Sequence, residues 1–213
     1  MKKLAIFDLD GTLLYTLEDL HASTNFALES EGLPARSLDE VRRFVGNGIR
    51  KLIERAVPDG CAPDVTDRVF AAFKRHYAEN CMVLTRPYPG IPEMLDALKA
   101  RGWQLGVVSN KADEPVKALI AHYFPGVFDS VVGERENVRK KPAPDSVFET
   151  VGSLGCDIGQ AVYIGDSDVD GQTAANAGCD CVLVSWGFRG RQTLEPFGCP
   201  IAGSAQELFE ILR

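Results

Sequence analysis

Two carboxylates and a glycine follow the first apolar run of the chain, Leu4–Phe7. A run of this kind predicts a buried strand, and ligand chemistry in parallel sheets takes place just beyond the carboxyl ends of strands. Strand alternation directs Asp8 and Asp10 to the same side, and Gly11 lets the backbone turn sharply and approach an anion closely. The alternative interpretation is a strand followed by an ordinary Asp-Gly turn.

Three further polar groups come at the ends of apolar runs or at the start of a helical pattern. They are Ser109-Asn110-Lys111, the pair Lys140-Lys141 ahead of Pro142, and the acidic segment Asp166-Ser167-Asp168-Val169-Asp170. A lone Ser-Asn or Lys-Pro has little specificity, so the order and spacing of the groups carry the information. Carboxylates, a hydroxyl and a lysine together can position a phosphoryl group and neutralise its charge.

Short apolar or β-branched runs alternate with amphipathic segments along most of the chain. The predicted strands are Leu4–Phe7, Gln104–Val108, Ser130–Val132, Ala161–Ile164 and Cys181–Val184. The predicted helices are Pro92–Arg101, Glu114–Tyr123, Asp145–Gly155, Val169–Ala177 and Ala205–Leu212, the last with Ser204 as N-cap. This alternation predicts βαβ units and an α/β fold with a mostly parallel sheet covered on both faces.

The stretch from residue 15 to residue 86 breaks the alternation. It predicts four helices and no strand, and it is too long for a loop of a compact domain. The first helix would start after Thr16 as N-cap and run to Gly32, and the others are Leu38–Phe44, Ile49–Val57 and Val65–Tyr77. We therefore predict a catalytic core of residues 1–14 and 87–213 with an all-helical cap domain, residues 15–86, inserted after the first strand.

The composition excludes some classes of function. The 213 residues carry a net charge of -7, which argues against a nucleic-acid partner held by bulk electrostatics but not against an anionic substrate near local cations. The basic start Met1–Lys3 resembles a signal peptide until Asp8 interrupts the apolar stretch. The six scattered cysteines form no C-x-x-C pair. We expect a cytoplasmic protein without a membrane partner, either a monomer or a homodimer.

The four polar groups, in this order and spacing, resemble the motifs of the haloacid dehalogenase-like superfamily over nearly the whole chain. The resemblance implies a flavodoxin- or Rossmann-like, doubly wound parallel sheet with an inserted all-helical cap, and phosphotransferase chemistry with Mg²⁺. It implies that Asp8 is the nucleophile and that Asp10 is the general acid and base. It also implies that Ser109 donates a hydrogen bond to the phosphoryl group and that Lys141 orients Asp8 and stabilises the transition state. The family's Lys-Pro pairing selects Lys141 over Lys140.

The same resemblance implies a set of metal and substrate residues. Asp8, Asp166 and the backbone carbonyl of Asp10 would ligate Mg²⁺, and Asp170, one helical turn beyond Asp166, would hold a metal-bound water. Asp168 is expected to be a surface or capping acid. Thr12 and Asn110, which lie within the first two motifs, are expected to bind substrate. Because aspartates stand at both ends of the first motif, phosphoester chemistry is favoured over dehalogenation.

The segment from Arg43 through Gly46, Asn47 and Gly48 resembles the corresponding region of phosphoglycolate phosphatases. We expect Arg43, Gly46, Asn47 and Arg50 to bind a small phosphate ester that carries a carboxylate, because a helix start with free N–H groups favours anions. The alternative is a Gly-Asn-Gly turn between two helices, with the arginines on a solvated face. The family commonly has Asp where this chain has Tyr15, so the entrance to the cap differs.

These observations predict a Mg²⁺-dependent phosphatase of small phosphorylated metabolites that acts through an aspartyl-phosphate, with a phosphoglycolate-like substrate. One alternative is a phosphosugar mutase of the same superfamily, which would return the phosphoryl group to another hydroxyl. Another is a phospho-accepting signalling domain, which the helical insert argues against because a switch does not need to enclose a small substrate.

Overall fold

The computed structural model describes residues 4–213, so the basic start of the chain lies outside the described residues. The chain divides into two compact units, one of residues 4–14 with Pro87–Arg213 and one of Tyr15–Arg86. Among residues 4–213, no helix combines the length and the apolar character that crossing a membrane requires.

The first unit contains a six-stranded parallel sheet with the strand order β5-β4-β1-β6-β7-β8. Its strands are β1 (Leu4–Phe7), β4 (Gln104–Ala112), β5 (Ser130–Glu134), β6 (Ala161–Gly165), β7 (Asp180–Val184) and β8 (Ile201–Ala202). Its helices are α5 (Ile91–Ala100), α6 (Asp113–Tyr123), α7 (Asp145–Ser153), α8 (Asp168–Ala177), α9 (Arg191–Leu194) and α10 (Ala205–Leu212), and single 3₁₀ turns lie at Ile158–Gln160 and Glu195–Phe197.

Strand β1 lies in the middle of this sheet and is completely buried. Phe7 pairs in register with Val107 of β4 on one side and with Ile164 of β6 on the other. The strand order runs outward from β1 in both directions and therefore reverses at β1, which is where open α/β sheets bind ligands. The predicted α/β fold with a doubly wound parallel core is confirmed.

The faces of the sheet are covered because each buried strand presents apolar side chains on both sides. Leu4 and Ile6 of β1 pack in one apolar cluster with Val147 and Val151 of α7 and with Ala174 of α8. This packing fixes the start of α8 close to the carboxyl end of β6.

The bounds of β1 and α10 agree with the prediction, and Ser204 caps α10 by accepting a hydrogen bond from the backbone N–H of Glu207. Strand β4 is longer than predicted: it continues to Ala112, so Ser109 lies within the strand. The register between β4 and β5 shifts between Val108 and Ala112. The short β8 and α9 were not predicted, because two to four residues give no measurable periodicity.

The second unit is helical, with α1 (Leu17–Glu29), α2 (Leu38–Phe44), α3 (Ile49–Ala56) and α4 (Pro63–Asn80). Two-residue strands, β2 (Leu14–Tyr15) and β3 (Arg86–Pro87), form a separate two-stranded sheet at the ends of the insert. Thr16 is the N-cap of α1, but the prediction that its side chain caps the helix is wrong. Its backbone has φ -104° and ψ 0°, whereas a capping side chain needs an extended backbone.

Candidate active site

Asp8 is the first residue after β1 and is held from both the backbone and the side chain. Its N–H donates to the carbonyl of Ile164, at 2.8 Å, which continues the β1–β6 ladder by one residue. Its Oδ1 lies 2.9 Å from Nζ of Lys141. Only 12 % of the side chain is exposed, so bulk water reaches little of this carboxylate.

Three carboxylates converge at this edge of the sheet. Oxygen atoms of Asp8, Asp166 and Asp170 all lie within 4.8 Å of one another, and all three residues are buried. Burial raises the pKa of Asp8 to about 7, against the opposing charge of Lys141. Burial, together with the charges of Asp170 and Asp8, also raises the pKa of Asp166 well above its usual value. The three carboxylates therefore carry more negative charge than the single positive charge of Lys141 can balance.

Asp170 is fixed by the first turn of α8. Ser167 is the N-cap and forms a capping box with Asp170: the Ser167 hydroxyl and N–H both donate to Oδ2 of Asp170, at 2.6 and 3.1 Å. Oδ1 accepts a hydrogen bond from Lys141 at 2.8 Å. Asp166 precedes the cap, so the prediction that the two aspartates are separated by one helical turn is wrong. Asp168 is 57 % exposed, as expected for a surface acid.

Asp166 packs against the backbone of Gly11 and Gly187, where any side chain larger than hydrogen would collide with it. A Cβ atom on Gly11 would lie 2.4 Å from Oδ2 of Asp166, and one on Gly187 would lie 2.3 Å from its Cβ. The N–H of Phe188 donates to Oδ2 of Asp166 at 2.6 Å. The sequence prediction missed Gly187 and Phe188, because nothing in a single sequence indicates that the loop after β7 folds over the end of β6.

Lys141 is the cation at the centre of the site, and its side chain is 3 % exposed. Its Nζ lies near Asp8 and Asp170 and donates to the hydroxyl of Tyr163, at 3.0 Å. Burial alone would lower the pKa of Lys141, but the charges of Asp170 and Asp8 outweigh burial and raise it well above its usual value. Lys140, the rival residue, is 43 % exposed and pairs with Glu134.

The side chain of Asn110 is bonded to the backbone of Lys141. Its Nδ2 donates to the carbonyl of Lys141 at 3.0 Å, and its Oδ1 accepts from the N–H of Lys141 at 2.9 Å. Asn110 therefore positions Lys141, a role that the prediction of substrate binding did not include. Tyr163, also missed, donates from its hydroxyl to the carbonyl of Val108 at 3.0 Å and so fixes the oxygen that Lys141 contacts.

The remaining core candidates lie around the same strand ends. Ser109 is buried, and its Oγ accepts from the N–H of Lys111 at 3.2 Å. Asp10 accepts two hydrogen bonds from Nζ of Lys111, at 2.8 and 2.9 Å. The Oγ1 of Thr12 is buried and has no hydrogen-bond partner among residues 4–213, while its carbonyl accepts from the indole N–H of Trp186.

The donor set fits a hard divalent cation. Carboxylate oxygens are the ligands that Mg²⁺ prefers in proteins, and three of them meet here beside a single lysine. A bound cation would balance the excess negative charge of the pocket. Asp8 and Asp166 are the candidates to hold such an ion, because both oxygens of Asp170 already accept hydrogen bonds within the protein.

The candidate residues of the helical unit lie between α2 and α3. Gly46 and Gly48 have φ values of 126° and 84°, in a region that disfavours side chains. Oδ1 of Asn47 accepts from Arg55 at 2.7 Å. Arg50 pairs with Glu54 and Asp67 at the surface of this unit, and Arg43 is exposed.

Residues 5–184 match the family model described as haloacid dehalogenase-like hydrolase. The chain belongs to the haloacid dehalogenase-like hydrolase family.

Relatives of this haloacid dehalogenase-like hydrolase include two bacterial phosphoglycolate phosphatases. The protein from Aquifex aeolicus is 36% identical over 187 residues, which is 87% of this chain and 86% of that protein. The protein from Rhodospirillum rubrum is 37% identical over 198 residues, covering 88% of this chain and 81% of that protein. The prediction of an enzyme similar to phosphoglycolate phosphatases is confirmed.

Solved structures of this family share the whole architecture. A protein from Lactobacillus delbrueckii subsp. bulgaricus, assigned as a phosphoglycolate phosphatase, has a TM-score of 0.94 and 36% identity, with 100% of this chain and 99% of that chain covered. CbbY from Rhodobacter sphaeroides, determined in complex with xylulose-1,5-bisphosphate, has a TM-score of 0.77 and 26% identity, with 98% and 96% covered.

Proposed function

We propose that this haloacid dehalogenase-like hydrolase is a Mg²⁺-dependent phosphatase of small phosphorylated metabolites that acts through an aspartyl-phosphate on Asp8. The convergence of Asp8, Asp166 and Lys141 in one buried pocket at the end of β1 carries the proposal. Phosphoryl transfer depends chiefly on positioning and charge neutralisation, and this pocket provides both.

In the first step, the Asp8 carboxylate attacks the phosphorus atom, and the bond from phosphorus to the ester oxygen breaks. The departing oxygen takes a proton from Asp10. Lys141 holds Asp8 through Oδ1 and neutralises charge that develops on the phosphoryl group, and Ser109 donates a hydrogen bond to one of its oxygens. Bound Mg²⁺ supplies further positive charge that lets two anions approach each other.

In the second step, Asp10 accepts a proton from a water molecule, and the resulting hydroxide attacks the phosphorus atom of the aspartyl-phosphate. The bond between phosphorus and Asp8 breaks, which releases inorganic phosphate and restores the Asp8 carboxylate. A positioned acid and base of this kind contributes about 10²–10⁴-fold to the rate.

We infer a phosphoglycolate-like substrate, a short phosphate ester with a carboxylate. The relatives that support this inference are named phosphoglycolate phosphatases and cover most of the chain. Within the helical unit, Arg43 and the backbone at Gly46 are the candidates to bind the carboxylate. Asn47 and Arg50 are held by neighbours of their own unit, so we assign them a supporting role around the same loop.

We also propose a cytoplasmic location and a chain that works as a monomer or a homodimer on small molecules. The six cysteines carry free thiols, which agrees with a reducing compartment. A size measurement in solution by light scattering checks the oligomeric state, and a species larger than a dimer would contradict it.

The decisive experiment compares phosphate release from 2-phosphoglycolate, ethyl phosphate, a sugar phosphate and p-nitrophenyl phosphate, with Mg²⁺ and with a chelator. We expect release that requires Mg²⁺ and a covalent adduct on Asp8 that borohydride reduction traps. Asp8→Asn should lower kcat by at least about 10³-fold without loss of fold. Retained turnover in that variant would remove the nucleophile, and isomerisation of the sugar phosphate without phosphate release would indicate a mutase.

A further inference from the structure

Lys111 is a second buried lysine at the carboxyl edge of the sheet. Its side chain is 2% exposed, and its Nζ donates to both oxygens of Asp10, at 2.8 and 2.9 Å. The Asp10 side chain is 16% exposed. This contact differs from a surface salt bridge, because an ammonium group buried to this extent is unfavourable unless its charge and its hydrogen bonds are matched.

The local structure of β4 brings Lys111 to this position. The strand continues past Val108, and its register with β5 shifts before Ala112. Such irregularities re-aim side chains near functional sites. The Ser109 hydroxyl accepts from the N–H of Lys111, which fixes the Lys111 backbone. Since β4 and β1 are neighbours in the sheet, Lys111 reaches Asp10 from a rigid element.

The backbone around Asp10 is fixed separately. The N–H of Gly11 donates to the carbonyl of Leu14, and the N–H of Leu14 donates to the carbonyl of Leu9. These bonds hold the loop that carries Asp10, whereas the two bonds from Lys111 act on the direction of the carboxylate itself. That direction matters because a general acid and base has to meet its proton within hydrogen-bond distance.

We propose that Lys111 is a positioning residue that orients the Asp10 carboxylate for both proton transfers; the proposal rests on the proposed role of Asp10. The two buried lysines then serve different carboxylates, Lys141 for Asp8 and Asp170 and Lys111 for Asp10. A carboxylate has about four acceptor positions, and Lys111 uses only two of them.

The choice of leaving group distinguishes a positioning role of Lys111 from a purely structural role. An alkoxide needs a proton to depart, whereas p-nitrophenolate departs as a stable anion. The parameter kcat/KM includes only steps up to departure of the first product, so hydrolysis of the aspartyl-phosphate does not affect it. Misplacing Asp10 should therefore lower kcat/KM for ethyl phosphate much more than for p-nitrophenyl phosphate.

The experiment measures kcat/KM for ethyl phosphate, 2-phosphoglycolate and p-nitrophenyl phosphate in Lys111→Met, Asp10→Asn and the double variant. For Lys111→Met we expect a loss of about 10–10²-fold with the two alkyl esters and less than about threefold with the aryl ester. The double variant should equal Asp10→Asn, because Lys111 acts through Asp10. Lys117→Met, which changes an exposed lysine of α6, is the control and should match the parent.

Other results would contradict the proposed role of Lys111 or that of Asp10. Equal losses with the aryl and alkyl esters would overturn the positioning role, and so would a loss confined to 2-phosphoglycolate, which would instead make Lys111 a ligand of the substrate carboxylate. If Asp10→Asn itself shows no preference for leaving group, the proposed role of Asp10 fails first. If Lys111→Met does not fold, the double variant, which removes both charges, replaces it: activity below that of Asp10→Asn contradicts the proposal.

Discussion

At the scale of single residues, the negative and positive charges of the active site are unequal in number. Three buried aspartates share one pocket with Lys141, and burial is the largest influence on the pKa of both Asp8 and Asp166. A bound divalent cation would offset the repulsion among these three carboxylates and would let an anionic phosphoryl group approach them.

Protons and Mg²⁺ should compete for Asp8. The pKa of Asp8 is raised to about 7 in the metal-free protein, and the ion binds the deprotonated form. The apparent affinity for Mg²⁺ should therefore fall by up to about tenfold per unit as the pH drops below about 7. Isothermal titration at several pH values checks this, and an affinity that is constant between about pH 8 and about pH 6 would contradict it.

The same shift predicts how the stability of metal-free protein changes with pH. Because the pKa of Asp8 is higher in the folded state than its ordinary value of 3.8, the folded state binds this proton more tightly than the unfolded state. The stabilisation is complete below that ordinary value and is lost as the pH rises through about 7. In the presence of a chelator, Tm should decrease as the pH is raised from mildly acidic to mildly alkaline. This decrease should be smaller in the Asp8→Asn variant. Added Mg²⁺ should restore Tm on the alkaline side.

At the scale of elements, the site depends on how the end of β4 is tied to the segment before α7. Asn110 brackets the peptide of Lys141 with two hydrogen bonds, and Tyr163 of β6 contacts the ammonium group. Lys141 is thus held by two strands that flank β1. A lysine side chain has many rotamers, and these contacts select the one that meets Asp8.

Asn110→Ala should damage catalysis through this connection. We expect kcat to fall by about 10–10²-fold, since small misplacements have effects of this size, with KM changed less than about threefold. The free energy of unfolding should fall by about 1–3 kcal/mol, because the buried peptide groups lose their partners. Steady-state kinetics and chemical denaturation measure both quantities.

Asn176→Ala is the matched control for this change. Asn176 donates from its exposed side chain to the carbonyl of Pro142 at 2.8 Å, so it contacts the residue next to Lys141 without touching Lys141. Its removal should leave kcat within about twofold. If both variants lose the same activity, the connection through Asn110 has no special role in catalysis.

At the scale of the whole molecule, the proposed function requires an acidic protein to bind an anionic substrate through a few local cations. The net charge is -7, yet two lysines are buried at the carboxyl edge of the sheet. Within the helical unit, Arg43 is exposed and Arg50 is engaged in an i,i+4 pair with Glu54. We therefore assign general phosphoryl chemistry to the core unit and propose that the helical unit selects among phosphate esters.

Arg43→Ala should change selectivity more than chemistry. We expect kcat/KM for 2-phosphoglycolate to fall about tenfold or more, the size of one lost hydrogen bond to a charged group, and that for p-nitrophenyl phosphate to change less than about threefold. Arg42→Ala, on the same helix and paired with Asp39, should leave both values near those of the parent. Equal losses on both substrates in Arg43→Ala would refute the selective role.

Patterns that extend over several adjacent residues were readable from the sequence. The apolar run of β1 and the capped pattern of α10 have their predicted bounds, because periodicity and capping act over one or two turns. The place of Asp8 at the carboxyl end of a central strand follows from the same logic, since βαβ alternation determines which strand ends share an edge.

Contacts between residues far apart in the chain could not be predicted from the sequence. Asp10 and Lys111 are separated by 101 positions, and Gly187 and Phe188 meet Asp166 only through the return of the loop after β7. The failure of Thr16 as a side-chain cap has the same origin, because the path of the chain into the helical unit decided its backbone angles.

The sequence by itself determined the α/β class and the chemical inventory of the site, because residue types and short-range periodicity are local properties. Only the tertiary structure revealed that a second buried lysine, Lys111, pairs with Asp10, since burial and charge pairing depend on side chains that distant strands bring together. The family resemblance had already implied that Lys141 orients Asp8, whereas nothing in the sequence linked Lys111 with Asp10.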